Sequence, residues 1–170
     1  MGRSRITNMK VIKKQTSSKD CIICGVDNPA GVHADFYELE DGSLCALFSF
    51  KSIHQSYPSR THGGMISAMI DETIGRLLWM EHPDQYAVTM KLSIEYHQPV
   101  PYNVPLKCVA KFKNQSSMTF EGEAEIRSMD DKMLAKGTAL YFKLPLSRIS
   151  GDNINPEEFN IMVPDDTKEI

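Results

Sequence analysis

One stretch near the middle of the chain combines residue types and spacing that can do chemistry: Thr61-His62-Gly63-Gly64, followed by an apolar run that contains Asp71. The glycine pair can turn sharply and bring unpaired backbone N–H groups up to a ligand. A helix starting there aims a partial positive charge at the same point. Such donors polarise a carbonyl oxygen that becomes negative as its carbon is attacked. Asp71 supplies the complementary group, since an ionised carboxylate can attack directly or accept a proton from water.

Gly64, Ala68, Asp71 and Gly75 fall at i, i+4, i+7 and i+11 and therefore share one helix face, with Ser67 beside them. An acid on a small-residue stripe of a mostly apolar helix is costly unless something uses it or pairs with it. A purely structural reading exists: the stripe admits a close neighbour, and a hydroxyl or basic partner satisfies Asp71 or Glu72. His-Gly-Gly placed directly before the helix shifts the balance toward a site.

The helix that carries this stripe is expected from Gly64 to about Met80. Met65, Ile66, Met69, Ile70, Ile74, Leu77 and Leu78 recur at helical spacing, with Pro83 beyond the end. It is apolar around much of its circumference and so must be covered on most sides. Strands are expected around it. Phe36 to Glu40 and Ser43 to Phe50 flank the hairpin dipeptide Asp41-Gly42. Ala87 to His97 alternates, with Val88, Met90, Leu92, Ile94 and Tyr96 on one face and Thr89, Lys91, Ser93 and Glu95 on the other. After a proline-rich loop, Leu106 to Lys113, Met118 to Ser128 and Met133 to Leu144 follow in quick succession. The pattern predicts an α+β fold, an antiparallel sheet of five or six strands wrapped around one central helix.

The chain has 170 residues, 41% hydrophobic and 24% charged, the profile of one globular domain. The formal net charge is −3, which offers no extended basic face for nucleic acid. No apolar run approaches the roughly 18–20 residues a membrane helix needs. Charge is uneven, however. Arg3, Arg5, Lys10, Lys13, Lys14 and Lys19 precede the first acid, whereas residues 151–170 carry acids against Lys168 alone. We read a loose basic N-terminus over 1–20, without the form of a secretion leader, and a loose acidic tail over 145–170 broken by prolines. Cys21, Cys24, Cys45 and Cys108 are too few and scattered for a disulfide scaffold, so a reduced, cytoplasmic protein is expected. Cys21-Ile22-Ile23-Cys24-Gly25 has the spacing of half a zinc knuckle, but the second half is missing and no metal is expected. Lys107, Lys111 and Lys113 could meet an anionic ligand, although a solvated face paired with Glu121, Glu123 and Glu125 is the simpler reading.

The stretch HGGMISAMIDETIG resembles the signature of the hotdog-fold acyl-CoA thioesterases, in the PaaI-like branch typified by phenylacetate-pathway enzymes. CIICGVDNPAGVHADF, HQSYPSRTHGG and VTMKLSIEYHQPVP resemble one group of small proteins in that branch, so the likeness runs over roughly 21–143 and makes 21–144 the hotdog domain. It implies hydrolysis of an acyl-CoA thioester, with coenzyme A as part of the substrate and no separate cofactor. By the same resemblance Gly64 supplies the oxyanion-hole amide, His62 and Gly63 shape its turn, Asp71 is nucleophile or general base, and Thr89 steers the attacking water. The branch often has an Asn or Gln near the thioester carbonyl; here Gln55 is the nearest substitute.

Spacing adds a partner. Gly64 and Asp71 are seven residues apart, about 10 Å along a helix, whereas one thioester carbon needs both groups within about 3–3.5 Å. Two antiparallel helices related by a twofold axis satisfy this, which predicts a homodimer with shared sites, able to assemble further as a dimer of dimers. A non-catalytic hotdog protein that binds acyl-CoA as sensor or scaffold is the competing reading; only the enzyme needs Asp71.

Overall fold

The computed structural model describes residues 8–152 and 154–170. Period-two sequence in the second half of the chain builds most of one antiparallel sheet: β4 (Tyr86–Tyr96), β5 (Leu106–Gln115), β6 (Thr119–Ser128) and β7 (Met133–Leu144). The hairpin β2 (Asp35–Leu39) and β3 (Leu44–Phe48) turns at Asp41-Gly42 as its sequence requires, and β1 (Val11–Lys14) pairs with β2. The order across the sheet is β1-β2-β3-β5-β6-β7-β4, which leaves β1 and β4 as edges.

The helix α1 (Gly63–Gly75) crosses the sheet against β4, β5, β6 and β7. Its Ile66, Met69, Ile70 and Ile74 are buried with Phe36, Phe50, Leu106, Phe120 and Ile126 in one core. Two sheet glycines make room for it. A Cβ on Gly122 would lie 2.6 Å from Ile74 Cγ2, and one on Gly137 would lie 2.6 Å from Ile70 Cγ2. The helix therefore sits closer to β6 and β7 than any larger residue there would allow. A helix seated in a wrapped antiparallel sheet is the α+β hotdog arrangement expected from the sequence.

Three features depart from expectation. The sheet has seven strands rather than five or six. The helix does not run on to Met80: it ends at Gly75, and a short α2 (Leu77–Glu81) follows a break at Arg76. Glycine is a weak helix former, and the Arg76 side chain turns inward, where its Nε donates to Glu72 Oε1 at 2.8 Å and its Nη1 to the Thr16 carbonyl at 2.8 Å.

The third departure concerns the terminal segments. Residues 1–7 lie outside the described residues, but 8–20 are built into the molecule instead of hanging loose. Met9, Val11 and Ile170 cover a small apolar patch of Tyr37, Leu39 and Cys45. The Met9 N–H donates to the Ile170 carbonyl at 2.7 Å, and the Ile170 N–H returns to Met9 at 2.9 Å. Lys14 Nζ bonds Asp165 at 2.7 Å and Asp35 at 2.8 Å. The basic start and the acidic end are thus mutual partners. A short α3 (Leu146–Ser150) begins the returning segment. Among the described residues no helix is long and apolar enough to cross a membrane.

Candidate active site

The Asp71 carboxylate is held on one oxygen. Its Oδ1 accepts from Thr89 Oγ1 at 2.8 Å and from the Tyr141 hydroxyl at 2.7 Å, while Oδ2 has no donor among the described residues. The Tyr141 hydroxyl also reaches the Asp71 carbonyl at 2.6 Å. Tyr141 is buried and stacks on Phe120 with ring centroids 4.8 Å apart and planes 6° from parallel. Burial and the facing carboxylate push its phenol well above the ordinary range, so it remains an O–H donor at any working pH. One carboxylate oxygen is fixed and the other is left open to react.

Thr89 reaches Asp71 because β4 is not regular. Thr89 lies opposite Tyr141 and Lys91 opposite Leu140, so Met90 is an extra residue in the strand. Strict alternation puts Thr89 on the face away from Leu92, Ile94 and Tyr96; the bulge at Met90 returns it to the helix side. Met90 itself is exposed. The predicted face of Thr89 is therefore corrected.

At the other end of α1, His62 is the N-cap, and its Nδ1 accepts from the Gly64 N–H at 2.9 Å. An accepting Nδ1 carries no proton, so the ring proton of neutral His62 sits on Nε2. The Gly64 amide expected to face substrate is thus engaged within the turn, whereas the Gly63 N–H has no partner among the described residues. His62 is placed by its N–H to the His54 carbonyl at 2.8 Å, and Thr61 by its N–H to the Val100 carbonyl at 2.8 Å. Gln55 bridges to Thr61 as an isolated β pair. Its Oε1 accepts from the Tyr102 hydroxyl at 3.2 Å, and its amide NH2 is without a partner among the described residues. Gln55, His62, Gly64 and Met65 line one cleft.

Asp71, Thr89, Tyr141, Gly75 and Trp79 line another. Within one chain the expected site residues thus fall into two groups at opposite ends of the helix. Two tyrosines escaped the sequence reading. Tyr141 is one; the other is Tyr96, whose hydroxyl donates to the Gly63 carbonyl at 3.1 Å and meets Ser67 Oγ at 2.7 Å, tying the first helical turn to β4. Both face the helix from their strands, Tyr141 buried and Tyr96 exposed, a placement that pattern alone cannot separate from ordinary packing.

Cys21, Cys24 and Glu72 offer three ligand atoms within 4.8 Å of one another, but the Arg76 guanidinium is already bonded to Cys24 Sγ at 2.9 Å and to Glu72 at 2.8 Å. A cation fills that position, and the group does not fit a metal ion. On the outer face, Lys107 pairs with Asp131 at 2.7 Å and Lys111 with Asp41 at 3.0 Å.

The thioesterase superfamily profile matches residues 59–135, which hold the capped turn, α1 and the Thr89 bulge. Over that stretch the chain is similar to the thioesterase superfamily. Among known proteins it is 30% identical over 110 residues to acyl-coenzyme A thioesterase THEM4 of Xenopus laevis, covering 64% of this chain and 49% of that one. The chain spans about half the length of the curated relatives it matches. The structure of BH2602 from Bacillus halodurans, solved with CoA, aligns with a TM-score of 0.60 and 25% identity over 66% of this chain and 75% of that one. PaaI of E. coli, from the phenylacetic acid degradation operon, shares the fold with a TM-score of 0.59 and 16% identity, over 66% of this chain and 80% of that one.

Proposed function

We propose that this protein hydrolyses an acyl-CoA thioester to the free acid and coenzyme A, at a site completed across a homodimer. The observation that carries the reading is the Asp71 carboxylate, fixed through Oδ1 by two hydroxyl donors and open at Oδ2. A thioesterase relative and a CoA-bound structural neighbour supply the substrate class.

In this scheme the thioester carbonyl lies at the N-terminus of α1, polarised by the unpartnered Gly63 amide and the Gln55 NH2. The Gly64 amide serves indirectly, by holding the His62 ring. Asp71 Oδ2 attacks the acyl carbon or removes a proton from the water that does, with Thr89 beside it to orient that water. The thiolate leaves readily, so no strong general acid is required.

The need for a partner follows from distance. The two clefts share no lining residue, and the helix separates their key groups by about 10 Å. An antiparallel second copy brings the Gly63 turn of one chain against Asp71 of the other. Two uncovered features support this. The face of α1 bearing Gly64, Ala68, Asp71 and Gly75 is only partly covered, and β4 is an eleven-residue edge strand with exposed Met90 and Tyr96. A long open edge of this kind calls for a covering strand.

The test is free-thiol release from short, medium, long and aromatic acyl-CoAs by wild type and Asp71→Asn. Hydrolysis of at least one substrate, reduced 10³-fold or more in the variant, is expected. Binding without hydrolysis by wild type, or an active Asp71→Asn, overturns the enzyme.

A further inference from the structure

Cys21 and Cys24 lie in the turn that leads toward β2, and their sulfurs meet beside the C-terminal end of α1. The turn closes through the Gly25 N–H, which donates to the Cys21 carbonyl at 2.9 Å. Only glycine fits after the second cysteine, because a Cβ there would stand 2.4 Å from the Cys21 carbonyl oxygen. Around the sulfurs is a charged setting unusual for a core. The Arg76 guanidinium is buried, lies 4.2 Å from the Phe36 ring centroid, and donates to Cys24 Sγ at 2.9 Å. Ser18 Oγ stands 3.2 Å from the same sulfur.

We propose that Cys21 and Cys24 are a redox-active pair that forms a reversible disulfide by exchange with small-molecule disulfides. Several observations carry it. The sulfurs already face each other across a two-residue spacer, so bridging closes a short loop with little rearrangement. A buried guanidinium on Cys24 favours thiolate over thiol. The Cys21 thiol, donating to Cys24, works with Arg76 against burial to bring Cys24 down to about 6. Cys45 and Cys108 are pushed up to about 12, chiefly by burial. The pair also has an entrance. Cys21 is only half-buried, next to Ile22 at 40% exposure, while Cys24 is 2% exposed.

The exchange balances as follows. The pair holds one negative charge between its sulfurs. With the proton on Cys24, Cys21 attacks one sulfur of the incoming disulfide, forming a mixed disulfide and releasing one thiolate, which takes up a proton. Cys24 then gives its proton to solvent and attacks the Cys21 sulfur, and the second small group leaves as a thiolate that takes up a proton. One protein thiolate, one protein thiol, one small disulfide and one proton from solvent become one protein disulfide and two small thiols. Bridging withdraws the thiolate from Arg76, whose remaining partners are Glu72 and the Thr16 carbonyl.

The experiment uses the full reduced chain in native buffer with bis(2-hydroxyethyl) disulfide as the oxidant. The expected result is loss of two of the four thiols and a mass decrease of about 2 Da, mapped by peptide mass spectrometry to Cys21–Cys24 and reversed by dithiothreitol. Cys24→Ser is expected to stop at a mixed disulfide on Cys21. Four persistent thiols, a bridge through Cys45 or Cys108, or a bridge that forms only in urea overturns the proposal. So does an unmodified Cys21 in the variant, or stoichiometric zinc binding that protects both thiols. The readout is thiol chemistry, so it stands or falls independently of thioester hydrolysis.

Discussion

Removing the Tyr141 hydroxyl tests whether Asp71 works because one of its oxygens is held. In Tyr141→Phe the ring keeps its stack on Phe120 and the Asp71 carbonyl stays inside the helix, so the change is confined to one donor. A hydrogen bond to a charged group contributes about 1.5–3 kcal/mol. Tyr141 is 3% exposed, so water cannot easily replace its hydroxyl. If that free energy is expressed in the transition state, kcat falls about 10- to 150-fold. KM changes less than about twofold, because the hydroxyl touches the carboxylate and not the substrate. Stability drops by about 1 kcal/mol. Thr89 is exposed, so Thr89→Val costs less, about 3- to 10-fold in kcat, because solvent can substitute. Both donors share Oδ1, and the double variant loses less than the product of the single effects. The assay is thiol release from the best acyl-CoA substrate, with melting temperatures as a control. A Tyr141→Phe enzyme with wild-type kcat beside an inactive Asp71→Asn refutes the reasoning.

The helix start gives a sharper experiment than glycine-to-bulky replacement. Proline is tolerated at the first helical position, and His62, at φ −64 and ψ 135, already has the backbone that proline requires of its predecessor. Gly63→Pro therefore deletes the unpartnered N–H with little strain and lowers kcat about 10²- to 10³-fold; mixing it with Asp71→Asn chains restores activity in heterodimers, where one of the two shared sites is intact. Inactive heterodimers, once subunit exchange is demonstrated, contradict the shared site, and full activity in Gly63→Pro returns the role to Gly64. The paired termini predict an acid effect. Burial pushes the Asp165 carboxyl up, but Lys14 and the Tyr37 hydroxyl more than offset it, so it lies below its ordinary value. That stability is present above the ordinary carboxylate pKa of about 3.9 and is lost as the pH falls below it toward the folded value. Asp165→Asn accordingly melts lower than wild type at pH 7, and the difference shrinks below about pH 4; a difference that persists in acid refutes the assignment.

The sheet and helix were legible because burial imposes a period on long segments. β7 occupies the range its alternation indicates, and Phe120, Ala124 and Ile126 of β6 face the core as their spacing requires. β1 was not legible, since four residues containing two lysines carry no period. What fixes it is remote: Val11 is pinned by Ile170 and the Tyr37 patch, a contact across nearly the whole chain. A clue existed in the opposed charges of the two ends, which reads as repulsion from order only while each end is considered alone. Paired, the same charges become an anchor.

The site divides along the same line. Local chemistry, a glycine turn before a helix and an acid on its small-residue face, was visible because it lies within a few residues in sequence. Which amide is free was not, because that depends on the rotamer of His62 and its bond to Gly64. Nor was the support of Asp71, which depends on a bulge. With regular alternation Thr89 would point away from the helix, and Asp71 would have Tyr141 as its sole hydroxyl donor. A single extra residue at Met90 turns the first part of β4 over while leaving Leu92 and Ile94 in the core. Bulges are tolerated at edges, where one side of the ladder is unpaired, so the edge position of β4 is what makes this geometry possible. The same open edge is where a second copy would have to pair, which ties the support of the carboxylate to the completion of the site.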